Sequence, residues 1–311
     1  MRRPEAGLRW RAATLAVALL LCVPPGLAAS NGLHCVPRTE RAADDTPLRH
    51  DAGLLWEVKS RDGAVGHLLG TIHLALPEVT TLSPQLKATL EAGSSFGMEV
   101  LFDAEALAGV AAAMRAPDGQ GLRHDADPAL YARAVELIAA YGIDEATAAG
   151  LQTWAVYTTL SLPPGQRDLP LDLQLMLRAQ AADKPVFGIE TLAEQTALFA
   201  DLSTADQLAL LRETVCHWEA QQRDMRKLVD AYVVGDLGGL YREAMRYESP
   251  AQRRLLAGLL DERNARMAER LAPRFATPGT FVAVGALHLP GPGGLLERLS
   301  AAGFSVRAID R

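Results

Sequence analysis

The sequence predicts an α/β (α+β) fold with a mixed, partly parallel sheet. Two observations near the chain ends point to it. A strand–helix–strand pattern over residues 54–101 and another over 280–309 each read as a βαβ unit. Between them, about 103–275, the chain is mostly periodic helix with one short strand, so the terminal units flank a large helical insert. The 311 residues are 49% hydrophobic and 22% charged. That is ordinary globular composition, in a chain long enough to bury a sizeable core.

The N-terminus reads as a targeting segment. Arg2, Arg3, Arg9 and Arg11 are followed by the apolar run Ala12 to Val23, the breakers Pro24, Pro25 and Gly26, and the small residues Ala28 and Ala29. This is the layout of a secretory signal peptide over residues 1–29. Leu21 stands before Cys22 where a lipoprotein signal needs a small residue, which favours a soluble exported product. Residues 30–50 are polar and read as a flexible arm, and 51–311 read as a single domain. No later stretch is long and apolar enough to span a membrane. Placement is expected in the periplasm ahead of the extracellular medium.

Loss of the leader would take the formal charge from −6 to about −9. An acidic surface repels phosphate backbones, and no Lys/Arg stripe with interleaved aromatics is present, so nucleic-acid binding is not expected. Cys35 and Cys216 remain after cleavage. In an oxidising compartment they either pair, tying the arm to a helix, or stay separate thiols.

Leu54 to Val58 reads as a strand, Arg61-Asp62-Gly63 as a turn and Val65 to Ile72 as the second strand of a hairpin. Pro77 to Thr81 reads as a loop. Ser83-Pro84 opens a helix, with Ser at the N-cap and Pro at the first turn, and Gly93 ends it. Phe96 to Leu101 is then a strand beside and parallel to the second. Helices follow at about 103–114, 128–141, 145–160 and 170–182. A strand at Val186 to Ile189 runs at once into another helix. Residues 204–274 read as three helices, broken near Gly235 to Gly239 and at Ser249-Pro250. Thr280 to Leu287 is a strongly apolar strand, Leu295 to Ala302 a helix and Ser305 to Ile309 the last strand.

Two segments look alike: Gly70-Thr71-Ile72-His73-Leu74 and Gly285-Ala286-Leu287-His288-Leu289. Each puts a His just past a strand, where open α/β sheets bind ligands. Glu99 lies in the otherwise apolar strand Phe96 to Leu101, and Glu190 follows the strand Val186 to Ile189. Imidazole plus carboxylate suits zinc, manganese, cobalt or iron, and a bound metal can acidify a water. His73, His288 and Glu99 are therefore candidate metal ligands and catalytic residues. Each also has a bland reading: sheet packing for the histidines, a buried ion pair with an Arg for Glu99, a helix-start carboxylate for Glu190. Arg263 either clamps a substrate carboxylate or pairs with a Glu. Gly93-Ser94-Ser95-Phe96-Gly97 matches the serine-hydrolase elbow in letters only, because the helix precedes it and the strand follows.

Jointly and in order, these marks resemble the TraB/GumN family, which includes the Tiki-type metalloproteases. They are Leu69-Gly70-Thr71-Ile72-His73 with Met98-Glu99, then Gly188-Ile189-Glu190-Thr191 with Glu194-Gln195. Glu262-Arg263-Asn264 and Val284-Gly285-Ala286-Leu287-His288-Leu289-Pro290-Gly291 follow. Asp172 also falls where that family places an Asp. The resemblance implies a fold related to the erythromycin-esterase and haem-binding ChaN group. It implies a metal-dependent site, with manganese or cobalt in the Tiki-type members. It also implies supporting or substrate-binding roles for Glu190, Arg263, Asn264 and Asp172. The reading that emerges is an exported metal-dependent hydrolase, a peptidase by resemblance, acting on a peptide or small-molecule substrate. The alternatives are a haem or small-ligand binding protein without catalysis, and a structural protein.

Overall fold

The hairpin opens the sheet. β1 (Leu55–Lys59) pairs antiparallel with β2 (Val65–Thr71), Leu55 opposite Leu69. The computed structural model describes residues 32–42, 46–101, 104–165 and 168–309. The leader expected at 1–29 lies outside these residues, so the description concerns the compact unit Leu33–Arg311.

Four more strands complete one six-stranded mixed sheet: β3 (Ser95–Met98), β4 (Val186–Gly188), β5 (Thr280–Gly285) and β6 (Ser305–Ala308). The order is β4-β3-β5-β2-β1-β6. β3 is therefore not beside β2, as the sequence suggested. β5, from the far end of the chain, stands between them and is parallel to both, with Thr71 opposite Gly285 and Met98 opposite Ala283. β4 runs parallel to β3. β6 pairs antiparallel with β1 at the other edge. β1 is thus the one strand running against the rest. A central parallel strand is covered on both faces and so needs apolar residues at every position, and Thr280 to Val284 are all buried.

The helix Pro84–Ala92 forms as its start signal requires: the Ser83 hydroxyl accepts from the Leu86 N–H, with Pro84 in the first turn. The segment Pro77–Thr80, expected as a loop, makes a single helical turn. The long helix expected from 145 is two, Glu145–Ala149 and Thr153–Leu160, interrupted at Gly150. The insert has its own core around Leu130, Ile138, Trp154, Leu160 and Leu211. The sheet core is separate, around Leu68, Phe96, Leu175, Phe275 and Phe281. Among the described residues no helix is long and apolar enough to cross a membrane.

The residues expected as a loose arm run beside 246–248. The Arg41 N–H donates to Arg246 O, and the Glu248 N–H to Thr39 O. A disulfide joins Cys35 to Cys216 at the end of the helix Thr204–Cys216, with a Cα–Cα separation of 5.6 Å.

Candidate functional site

Because β4, β3, β5 and β2 are parallel neighbours, their carboxyl ends line up along one edge. Glu190, Glu99, His288 and His73 each lie within three residues of such an end. The backbone ties the first two together: the Glu190 N–H donates to Glu99 O at 2.8 Å.

His73 is held from behind. Its Nδ1 lies 2.9 Å from Asp172 Oδ2. Asp172 sits in the first turn of the helix Leu171–Ala181, and its other oxygen accepts from the Thr71 hydroxyl. The charge of Asp172 is the main cause that raises His73, to about 9. The ring is 58% exposed, so solvent screens part of that effect, but the direction makes it an imidazolium at neutral pH.

Glu99 and Glu190 are buried and share one cation. Arg263 Nη2 donates to Glu99 Oε2 at 2.5 Å and to Glu190 Oε2 at 2.6 Å. Arg266 reaches Glu190 Oε1 at 3.0 Å, and Gln195 Nε2 reaches Glu99 Oε2 at 3.1 Å. The remaining Glu99 oxygen, Oε1, accepts from the Gly285 N–H at 2.6 Å. Burial opposes the Glu99 carboxylate, but His288, Arg263, His73 and that N–H outweigh it and hold its pKa well below the usual range. Glu190 does not cap the following helix. Thr191 does, in a capping box with Glu194.

His288 is buried, and desolvation lowers it to about 4, so the ring is neutral. Its Nδ1 lies 2.7 Å from Asn264 Oδ1, and Asn264 Nδ2 donates to Gly293 O. That assigns the proton to Nδ1 and the lone pair to Nε2. Arg263 Nη1 meets Nε2 at 3.1 Å.

These groups converge on one glycine. A methyl placed on Gly285 would lie 3.3 Å from Glu99 Oε1, 3.5 Å from His288 Cδ2 and 3.8 Å from His73 Nε2. The matching Gly70 serves packing instead: a methyl there would lie 2.8 Å from Leu289 Cδ1. Gly285 lines a cavity of about 210 Å³ together with Thr71, His73, Arg263, His288 and several leucines.

The structure thus brings His73, Glu99, Glu190, His288, Arg263, Asn264 and Asp172 into one cluster, and places Cys35 and Cys216 in their disulfide outside it. Arg266, Thr71 and Gln195 belong to the cluster but were not picked as site residues. A signal for Arg266 existed: Arg263, Arg266 and Arg270 recur along one helical face, and Arg270 pairs with Glu194. Ser95, the serine of the elbow letters, opens β3 at the end opposite Glu99, away from the cluster. His217 meets Val36 O in the arm.

Among the described residues no group of three or more His, Cys, Asp or Glu side chains is arranged to hold a metal ion, though imidazole and carboxylate are the donor types that suit one. Both imidazoles are oriented through Nδ1 by an oxygen, the usual support of a metal-binding His. A carboxylate oxygen faces the same point, so His73, His288 and Glu99 are the residues that would hold it. Arg263 at present engages the Nε2 of His288 that such a bond requires.

The model of the TraB/PrgY/gumN family matches residues 54–308. The chain is 23% identical over 239 residues to the protein YbaP of Escherichia coli (strain K12), covering 75% of this chain and 87% of YbaP. YbaP of Shigella flexneri matches with the same identity and coverage. No solved structure matches. The family match spans every strand and every member of the cluster over Gly285, and the chain belongs to the TraB/PrgY/gumN family.

Proposed function

We propose that the chain is an exported hydrolase that cleaves a peptide bond in the crevice over Gly285, using a metal-activated water. The observation that carries this is the convergence of Glu99 Oε1, His73 Nε2 and the His288 ring on one point above a glycine. Four strand ends and a buried Arg position these groups, and the cavity above them admits a substrate.

The charge states assign the roles. Without a metal His73 is charged; to ligate one it would give up its Nε2 proton, while Asp172 holds the proton on Nδ1. Glu99 is ionised but weakly basic, and His288, near 4, is also a poor proton acceptor at neutral pH. A bound divalent metal would lower the pKa of water and polarise a carbonyl, so that Glu99, though weakly basic, would take the water's proton and pass it to the leaving nitrogen. Gly285, lacking a side chain, leaves room for the scissile group. Export is supported by the leader pattern and by the Cys35–Cys216 disulfide, which suits an oxidising compartment.

One observation favours a second reading. Arg263 already presents a cation to Glu99 and His288. It could polarise a carbonyl itself, leaving an acid–base hydrolase that needs no metal.

The test is a peptide-hydrolysis screen, with elemental analysis and thermal melting under added manganese, cobalt or zinc, on wild type, His73→Ala and His288→Ala. Metal-dependent turnover and a metal-dependent melting shift in wild type alone support the proposal. Turnover that survives a chelator but is lost in both variants selects the second reading. Normal turnover in either variant sinks both. Stoichiometric haem uptake without turnover would mark a binding protein instead.

A further inference from the structure

We propose that the leucine wall beside Gly285 is a specificity pocket that takes one large apolar side chain of the substrate, branched or aromatic, next to the bond being cleaved. This rests on the hydrolytic reading of the same crevice.

The cavity lining is of two kinds: Thr71, His73, Arg263 and His288 are polar, and Leu228, Leu240, Leu256, Leu259, Leu260 and Leu287 are apolar. Single exposed leucines need no explanation, but a cluster turned toward one cavity does. Of these six, only Leu240 is fully buried; the others stay half-buried. Water against such a wall is displaced favourably by an apolar group.

The wall is built by the element that also supplies Arg263. Leu256, Leu259, Leu260 and Arg263 recur at helical spacing, and the turn Ala257–Glu262 is a π-helix. Such wide turns are rare and concentrate at functional sites. This one carries Leu259 and Leu260, with Leu256 just before it and Arg263 just after it, on the same cavity. A ligand seated on the leucines therefore has its polar end beside His73, His288 and Gly285.

Size sets the occupant. A leucine-lined cavity of about 150 Å³ is enough to bind benzene, and this one is about 210 Å³. A leucine, isoleucine or phenylalanine side chain fits, and glycine would leave it unfilled. A carboxylate or ammonium would lose hydration against the leucines without a partner there.

The experiment uses the exported protein with N-acetyl methylamides of glycine, alanine, leucine and phenylalanine, followed by ligand-observed NMR, with peptides carrying the same residues tested for turnover. Binding should rise from glycine to leucine and phenylalanine by about tenfold or more. Leu260→Trp should abolish phenylalanine-probe binding while melting stays near wild type. If Leu260→Trp does not fold, Leu259→Trp and the wild-type probe series decide. Equal binding of the glycine and phenylalanine probes, or phenylalanine binding unchanged in a folded Trp variant, overturns the pocket. Side-chain-selective binding without turnover of any peptide supports the pocket and counts against the hydrolytic reading alone.

Discussion

Arg263 Nη1 stands 3.1 Å from Nε2 of His288, so the guanidinium that neutralises Glu99 and Glu190 also occupies the ring's lone pair. One buried side chain thereby satisfies two carboxylates and sets the tautomer of an imidazole. Removing it leaves two buried carboxylates without their main partner. Arg263→Met should destabilise the protein by about 3–5 kcal/mol. Urea denaturation checks this, and a loss near zero would mean that Arg266 and Gln195 suffice.

Asp172 should control the charge of His73. In Asp172→Asn the cause that raises His73 to about 9 is gone, and the ring should titrate nearer its ordinary value of 6.5. NMR titration of the His73 ring reads this directly. Identical titration in both proteins would show that the 2.9 Å contact has no electrostatic weight.

The two histidines should have opposite effects on stability against pH. His288 is lowered from 6.5 to about 4, so the unfolded chain binds its proton first on acidification. Its contribution is complete above 6.5 and is lost as pH falls through 4, by up to about 3 kcal/mol. Glu99, also lowered, loses stability in the same direction at still lower pH. His73 is raised, so its smaller, solvent-screened contribution is present below 6.5 and lost as pH rises through about 9. Wild type should therefore melt lower at pH 4.5 than at pH 7, and His288→Gln should flatten that acid limb. An acid limb of unchanged steepness in the variant would refute the assignment to His288.

Gly285→Ala tests the convergence point. Its methyl would lie 3.3 Å from Glu99 Oε1, close enough to displace the carboxylate by a few tenths of an ångström. Turnover or metal retention should fall by about a hundredfold, the scale of a small misplacement in a reactive site, while the melting temperature changes little. Full activity in a folded variant would move the reacting groups elsewhere.

The disulfide should stabilise the fold without touching the cluster. It joins residues 181 apart in sequence. Cys35→Ser with Cys216→Ser should cost about 2–5 kcal/mol and leave the His73 titration unchanged. A shifted titration would show that the arm reaches the site.

Much of this was legible in the sequence because it rests on local pattern. The apolar runs before His73, Glu99, Glu190 and His288 show strands ending at polar residues, and Ser83-Pro84 shows a helix start. Strand neighbours were not legible. Nothing local says that β5 separates β2 from β3, because that order is set by which apolar faces pack best across the whole chain. Of the two readings of Glu99, the structure shows the ion pair: the carboxylate pairs with Arg263 through Oε2, while Oε1 accepts from the Gly285 N–H. Sequence pattern separates such roles only when each side chain has one partner. The leucine wall was hidden because Leu228, Leu256 and Leu287 lie far apart in the chain and each looks like ordinary core.

The place of β5 has a consequence for when the cluster can form. His73 and Glu99 come from the first third of the chain, but the strand that joins their two strands is among the last to be synthesised. Until it arrives, β2 and β3 have no shared partner, Glu99 Oε1 lacks the Gly285 N–H, and the floor at Gly285 does not exist. A truncated or half-made chain therefore carries the early residues without the cluster. The cluster forms only once the polypeptide is all but complete.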